Sequence, residues 1–508
     1  MSSNSSNVRK LAMVVFWIIL FLFVFVFFNN AHPILIFDTD DWQYIGYSRH
    51  AIPWWNAWNP TRVFPEVAMS AVALVGSQLI YPITGRFIES LAFVFAFVVS
   101  LCVVTYIFYF YLLMIKRFRI DEVTSLFVSL LFLIFHFVIF RGVDNANLHM
   151  FYSLDACVYF YYTIPNLLNC IIVMKLLTDD FLYNPFEKFR NGYYLRERHR
   201  LGIWIAILYF ALFSNLYASI IVAVFIGIQL LSNTVSLLKT RKNNLNYLKE
   251  NILRLSYLVI WCGVQVFEVF GGRARSLKSE KSFIVLLKET ISFLVNIRHD
   301  FNKMFLCCMF LIFSCAFLMA VYRLKRDKTD NIKKLLGLVF RMIMMSGIIM
   351  IYLIVVCSVH GAYHIVRPDV LFGAVFPIFI IIMICICYLL MENQLLISVI
   401  PLMAVMLLVE CNTIGVTYKN PNVQNLSTQL VIDIDNDIIN QLKLADESGT
   451  DECILYVPIF NSGSNWPINA YSGKIISDTL YKHGVLSKRI AIKEIIPDRN
   501  KNEQFYLK

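Results

Sequence analysis

Long apolar runs recur through this chain at roughly 11–28, 89–115, 124–140, 154–177, 201–216, 218–238, 252–270, 304–322, 337–357, 370–391 and 394–409. A helix needs about 20 predominantly apolar residues to cross a bilayer, so this pattern leaves room for little besides a bundle of membrane helices. Composition agrees. Of 508 residues 58% are hydrophobic and 16% charged, against about 25% charged in a soluble domain. The excess apolar surface must face lipid. Aromatic residues make up 15%, with 43 Phe, which suits lipid-facing and interhelical surfaces, with Trp and Tyr collecting at the interfaces. The expected fold is an all-α polytopic membrane protein of about eleven transmembrane helices.

The net charge of +11 reads as topology and not as a nucleic-acid surface, because the basic residues gather in short loops between apolar runs. The first run, Leu11 to Phe28, follows Arg9 and Lys10 and precedes Asn29, Asn30 and His32, with no small-residue cleavage site. It is expected to be retained, with the N-terminus cytoplasmic. Counting crossings puts the C-terminus outside. Four loops that the count makes cytoplasmic are basic: Lys116, Arg117 and Arg119; Lys188, Arg190, Arg196, Arg198 and Arg200; Lys239, Arg241 and Lys242; and Arg323 to Lys334. Of the 12 Cys, only Cys411 and Cys453 lie in the polar tail, where a disulfide is open to them if the tail is outside.

Two regions follow: a membrane domain at 1–409 and a C-terminal domain at 410–508. Within the first, the outer loop 29–90 holds an apolar stretch, Val67 to Pro82, that the crossing count requires to lie on or dip into the membrane. The outer loop from Gly271 to Lys303 is basic, and its segment Phe283 to Ile297 reads as an interfacial amphipathic helix. The tail alternates a helical run, Asp435 to Glu447, a strand-like Cys453 to Pro458 and a second helical run, Ile475 to His483. That pattern is a small α/β domain.

Chemistry concentrates in the outer segments. Phe37 to Glu66 reads FDTDDWQYIGYSRHAIPWWNAWNPTRVFPE, which sets Asp38, Asp40 and Asp41 just beyond the first span, at headgroup level. A hydrated turn explains a bare acidic triplet. Here Trp42, Trp54, Trp55 and Trp58 offer an interfacial wall with Arg49, His50, Arg62 and Glu66 interleaved, and carboxylates walled by aromatics suit general-base work. An ordinary aromatic belt is the bland alternative. The segment HGAYHIVRPD supplies His360, His364, Arg367 and Asp369 between the ninth and tenth spans. Its two histidines have the i, i+4 spacing of metal ligands, but Gly361 and Pro368 break the helix such a pair needs. Contact with phosphate or sugar is favoured, with a solvated loop as the bland alternative, and no metal or cofactor is expected. Gly271, Gly272, Arg273 and Arg275 offer close backbone approach and guanidinium forks to phosphate, or merely attraction to anionic headgroups. Arg141 and Asp144, in FRGVDNAN, either close the same cavity or anchor a helix end.

The chain has no Walker loop, GxGxxG, HExxH, paired CxxC or GxSxG, so nucleotide-driven transport has no support. Charges are also scarce within the spans, where a proton-coupled carrier would place some. Glu268 is the clearest exception, near the outer end of its helix.

The acidic DTDDW followed by NPTRVFPE in the first outer loop, and the tail segment LKLADESGTDECILYVP, resemble the membrane glycosyltransferases of the GT-C fold. The resemblance is closest to the phage-type serotype-converting glucosyltransferases that modify O-antigen, and it covers nearly the whole chain in architecture. It implies a bacterial inner-membrane enzyme with a periplasmic C-terminus and a polyprenyl-phosphate sugar donor. The acceptor it implies is an O-antigen or other lipid-linked glycan, with a donor synthase and a donor flippase as partners. The family's paired acids map onto Asp40 and Asp41. On that basis Asp41 or Asp40 is expected to deprotonate the attacking hydroxyl, with Arg273, Arg275 or Arg367 stabilising the departing lipid phosphate. Trp42, Arg62, Glu66, Asp144, His360 and His364 complete the expected substrate contacts. Direct displacement implies inversion at the anomeric carbon. A polysaccharide polymerase or ligase, a lipid-linked-glycan carrier and a non-catalytic scaffold are the competing readings.

Overall fold

The apolar runs form helices because a lipid-facing backbone has to satisfy its N–H and C=O groups internally. The structure is a computed structural model. It describes residues 2–37, 39–52, 59–140, 146–184, 195–240, 244–270, 281–327, 330–392, 417–419, 426–459 and 470–507. The helices of the membrane domain are α1 (Ser2–Val26), α2 (Thr39–Gly46), α3 (Val63–Val75), α4 (Phe87–Phe118), α5 (Glu122–Val138), α6 (Ile164–Thr178) and α7 (Leu195–Leu212). They continue with α8 (Leu216–Thr240), α9 (Asn244–Phe270), α10 (Phe283–Asn296), α11 (Lys303–Asp327), α12 (Asp330–His360) and α13 (Pro368–Glu392).

Among the described residues eight helical stretches are long and apolar enough to cross a membrane, so the chain is a helical membrane protein. Seven coincide with runs expected to span. Of the other expected spans, 124–140 and 201–216 fall on shorter apolar helices, Glu122–Val138 and His199–Leu212. The run 252–270 falls on α9, and 394–409 lies outside the described residues.

The eighth stretch, Pro60–Thr84, belongs to the segment expected to be an outer loop. Ring and sulfur contacts show how its neighbours run. Phe95 on α4 meets Phe160 just before α6 at 5.3 Å, and Tyr106 lies beside Cys170, so α4 and α6 are parallel. Tyr106 meets Phe372 at 6.0 Å and Met114 meets Cys387 at 3.6 Å, which makes α13 parallel to them as well. α1 is antiparallel to α4, with Phe25 near Phe93 and Trp17 near Tyr111. The end of α1 and the starts of α4, α6 and α13 therefore share one face. Pro60–Thr84 begins beside Tyr161, through Glu66, and ends beside the start of α4, where Thr84 Oγ1 and Ser90 Oγ are 2.7 Å apart. Both its ends meet that shared face. It runs along that face although it has the length to cross.

Three π-helical turns interrupt helices at this face: Phe27–Ala31, Gly76–Ile80 and Tyr159–Thr163. Such turns cluster at functional sites because the extra residue re-aims side chains.

The tail folds as α14 (Thr428–Glu447), β3 (Glu452–Val457), α15 (Ala470–Lys482) and β4 (Ala491–Pro497). Ser427 caps α14, and Val431, Ile434, Ile438 and Leu442 form its buried stripe. β3 and β4 pair in parallel, as a crossover helix between two strands demands. Strand β4 was not expected from the sequence. A shorter parallel pair joins β1 (Ala146–Asn147) to β2 (Thr417–Tyr418).

This domain docks on α2. Thr479 Oγ1 donates to Trp42 O at 2.8 Å and Lys482 Nζ to Gly46 O at 2.7 Å. His483 bridges Ile45 O at 2.8 Å and Ser77 Oγ at 2.7 Å. A helix of eight residues is marginal alone and leaves its last carbonyls unsatisfied. Here Lys482, at the end of α15, and His483, just beyond it, satisfy those of Gly46 and Ile45.

Candidate active site

Helix α2 sets the acidic motif. Asp41 points inward and is fully buried. Its Oδ2 accepts the Phe37 N–H at 2.8 Å and its Oδ1 the Cys157 N–H at 2.5 Å. Asp40, one residue earlier in the first turn, is exposed. The hundred-degree step between successive helix positions separates the two acids into a buried anchor and a solvent-facing carboxylate. Asp38 lies outside the described residues.

Beside α2, the turn Pro60–Arg62 and the first turn of α3 form a charged knot. Glu66, only 3% exposed, binds Arg49 Nε at 2.8 Å, lies 3.6 Å from Arg62 Nη1 and accepts the Tyr161 hydroxyl at 2.8 Å. Arg62 also donates to the Tyr44 hydroxyl at 2.7 Å. Burial raises the Tyr44 pKa, against the lowering effect of Arg62, so the phenol stays neutral, within reach of the charges on Glu66 and Asp40. Glu268, the intramembrane acid noted in the sequence, accepts the Thr61 N–H and hydroxyl at 3.2 and 2.8 Å. It fixes the start of the knot.

The second sequence cluster lies at the start of α13. Arg367 grips Asp369 through two bonds, Nε to Oδ1 at 3.0 Å and Nη2 to Oδ2 at 2.6 Å. Its guanidinium sits 4.5 Å from the centre of the Tyr162 ring. Burial opposes the charge, but Asp369 and the neighbouring Tyr162 and Asp155 outweigh it and hold the pKa above its ordinary value. Ser153 Oγ reaches Asp369 Oδ2 at 3.3 Å and Thr163 Oγ1 at 2.8 Å.

Residues 152–163 join the clusters. Asp155 caps the next turn by accepting the Val158 N–H at 2.8 Å. Tyr152, its pKa raised by burial and then by Asp369 and Asp155, lies on the Arg367 side. Cys157 is within electrostatic reach of Asp155, Asp41, Asp40 and Arg62. The DTDDW and HGAYHIVRPD segments thus share one polar site through a stretch that the sequence showed only as the start of a span. Asp155, Tyr161 and Tyr162 are the residues missed. A readable signal was the Asp before an apolar run, the usual mark of a helix cap.

Asp41, Asp155 and Cys157 each bring a donor atom within 4.8 Å of the others. Both Asp41 oxygens and one of Asp155 already accept backbone N–H groups, and a thiol beside two carboxylates mixes soft and hard donors. The grouping is a packed polar turn in character.

Several expectations need correction. Trp42 is fully buried, stacked at 6.4 Å on Phe87, and is core under α15, not interfacial wall. Glu66 is an anchor for Arg49 and Arg62, too enclosed to touch substrate. In keeping with the helix break expected at Gly361, His360 ends α12 and Gly361, at φ 144°, starts a separate 3-10 turn, Ala362–Val366, so His360 and His364 share no helix. His364 instead meets the Tyr363 ring in a tilted contact at 4.1 Å and lies 3.5 Å from Arg367 Nη1. Trp54, Trp55, Trp58, Arg141, Asp144, Gly271, Gly272, Arg273, Arg275 and Cys411 lie outside the described residues.

No known protein family, curated protein or solved structure matches the chain.

Proposed function

We propose that this chain is a membrane glycosyltransferase that moves a sugar from a polyprenyl-phosphate donor to a glycan acceptor, by a single inverting displacement. The observation that supports it most is that an exposed carboxylate, Asp40, lies at the same end of the helix bundle as two guanidiniums, Arg62 and Arg367, each held in place by its own ion pair. Arg62 and Arg367 keep 19% and 15% of their side-chain surface open, so each retains N–H donors for an incoming oxyanion. A lipid-tethered donor is confined to the headgroup plane, and pre-positioned groups there remove most of the orientational cost of reaction.

In this mechanism Asp40 takes the proton of the acceptor hydroxyl as its oxygen attacks the anomeric carbon. The bond from that carbon to the phosphate oxygen breaks, and the electron pair leaves with the polyprenyl phosphate. Arg367, aided by Arg62, stabilises the developing charge. Asp41 supports the reaction by fixing α2. The resemblance to GT-C enzymes points the same way, and it favours glucose as the sugar and O-antigen as the acceptor, on the periplasmic side of a bacterial inner membrane.

The test is transfer from a synthetic polyprenyl-phosphate sugar in membranes holding wild-type chain or Asp40→Asn. Loss of transfer with normal protein levels supports the assignment. Undiminished transfer by Asp40→Asn removes the base and with it the mechanism.

A further inference from the structure

Helix α14 carries a second, unexplained face. Gln429, Asp433, Asn436, Asn440 and Lys443 repeat at alternating four- and three-residue steps, which align them in one stripe opposite the buried Val431, Ile434, Ile438 and Leu442. A polar stripe normally faces open water. This one faces the start of α4 across a crevice of about 380 Å³, whose far wall includes Arg86, Phe87 and Glu89. That volume falls within the roughly 300–1,000 Å³ of small-molecule sites.

The chemistry of the walls narrows the ligand. Two cations, Arg86 and Lys443, balance two carboxylates, Glu89 and Asp433, so the crevice has no net charge to recruit a phosphate or a metal ion. Lys443 already sits 5.6 Å from the Tyr81 ring, and Asp433 already accepts from Gln429 at 2.8 Å. Apart from Arg86 and Glu89, the remaining polar groups are the amides of Gln429, Asn436 and Asn440, each offering donors and an acceptor together, which matches hydroxyls that both give and take hydrogen bonds. One buried acceptor, Glu89 Oε2, has no partner, while Glu89 Oε1 is met only distantly by Asn436 at 3.4 Å. Phe87 links the crevice to the active site, because its ring also contacts Trp42, the neighbour of Asp41.

We propose that this crevice binds a neutral saccharide, the non-reacting part of the glycan acceptor. Its identity as the acceptor's site rests on the glycosyl-transfer reading; its preference for uncharged polyhydroxylated ligands rests on the lining alone. The crevice would hold the chain while the attacking hydroxyl reaches Asp40.

The experiment is saturation-transfer NMR on the full-length protein in detergent. The probe is a panel of neutral oligosaccharides built from hexoses, 6-deoxyhexoses and N-acetylhexosamines. The comparison is among wild type, Asn436→Ala/Asn440→Ala and Asp40→Asn. Wild type should bind at least one oligosaccharide, and the double variant about tenfold more weakly (~1.4 kcal/mol) at an unchanged unfolding midpoint. Asp40→Asn should bind as wild type does. No binding by wild type, or equal binding by the double variant, overturns the proposal. Transfer retained by Asp40→Asn alongside normal binding would remove the catalytic reading and leave the saccharide site standing.

Discussion

The Cys157 N–H donates to Asp41 Oδ1 at 2.5 Å, tying together residues 116 positions apart. With the Phe37 N–H on the other oxygen, Asp41 pins α2 to the turn that leads into α6. Its neighbour Asp40 makes no such commitment to the fold and faces solvent.

Substitutions at the two acids should therefore separate stability from chemistry. Asp41→Ala strands two buried N–H groups and removes charge-assisted bonds, for a loss of ~3 kcal/mol. Asp40→Asn should shift stability by less than ~0.5 kcal/mol and slow transfer by ~10²–10⁴-fold. Thermal unfolding in detergent and a transfer assay read the two effects. A destabilised Asp40→Asn, or an intact and active Asp41→Ala, contradicts this division.

Breaking the Arg367–Asp369 pair leaves one buried charge unmatched. Arg367→Ala is expected to cost ~3–5 kcal/mol, and Arg367→Ala/Asp369→Ala considerably less, because neither charge is then left alone. The double variant should nevertheless remain inactive. Recovery of transfer together with stability would show that Arg367 serves only the fold.

Glu66→Gln should release both Arg49 and Arg62. Each guanidinium keeps some solvent contact, so the loss should be ~2 kcal/mol, below the ~3–5 kcal/mol of a fully enclosed pair. Transfer should fall as well, through disorder of Arg62. Unfolding midpoint and KM, measured together, check this; a change in neither would mean that the knot is dispensable.

Docking of the C-terminal domain should weaken in acid. Burial, with some help from Lys482, lowers the His483 pKa below its ordinary 6.5. The docked state thus favours neutral imidazole. Its contribution is complete above pH 6.5 and is lost as pH falls through the lowered value. The protection of amides 39–46, measured relative to the intrinsic exchange rate, should fall between about pH 7 and 5, and His483→Asn should flatten that dependence. Exchange in the wild type that tracks only the intrinsic chemical rate would argue against it.

Gly46 leaves no room for a side chain. A Cβ there would sit 2.1 Å from Thr479 Oγ1, so Gly46→Ala should cost ~1–3 kcal/mol through overpacking. Limited proteolysis should then release the C-terminal domain faster. Equal rates for variant and wild type would mean that the contact yields freely.

The helices were legible because lipid imposes one repeated demand, apolar length, that a single chain states openly. The tail was legible in part: α14, α15 and β3 have clear periodicity, whereas β4, AIKEIIP, breaks its alternation with adjacent charges and was missed. At the site the sequence named Asp40, Asp41, Arg62 and Arg367, because charged residues stand out near apolar spans. It did not name Asp155 or Tyr161, since one acid and a run of tyrosines resemble any interfacial helix end. Trp42 was misread for a related reason. An aromatic belt and an aromatic core look alike until α15, over 400 residues later, is brought against α2.

The capping of α2 by Thr479, Lys482 and His483 has a consequence for biosynthesis. A ribosome has to add more than 430 residues after the acidic turn before that turn can be locked in shape. Nascent chains that have not yet released α15 should therefore hold this turn loosely, and it should set only once that late helix has emerged.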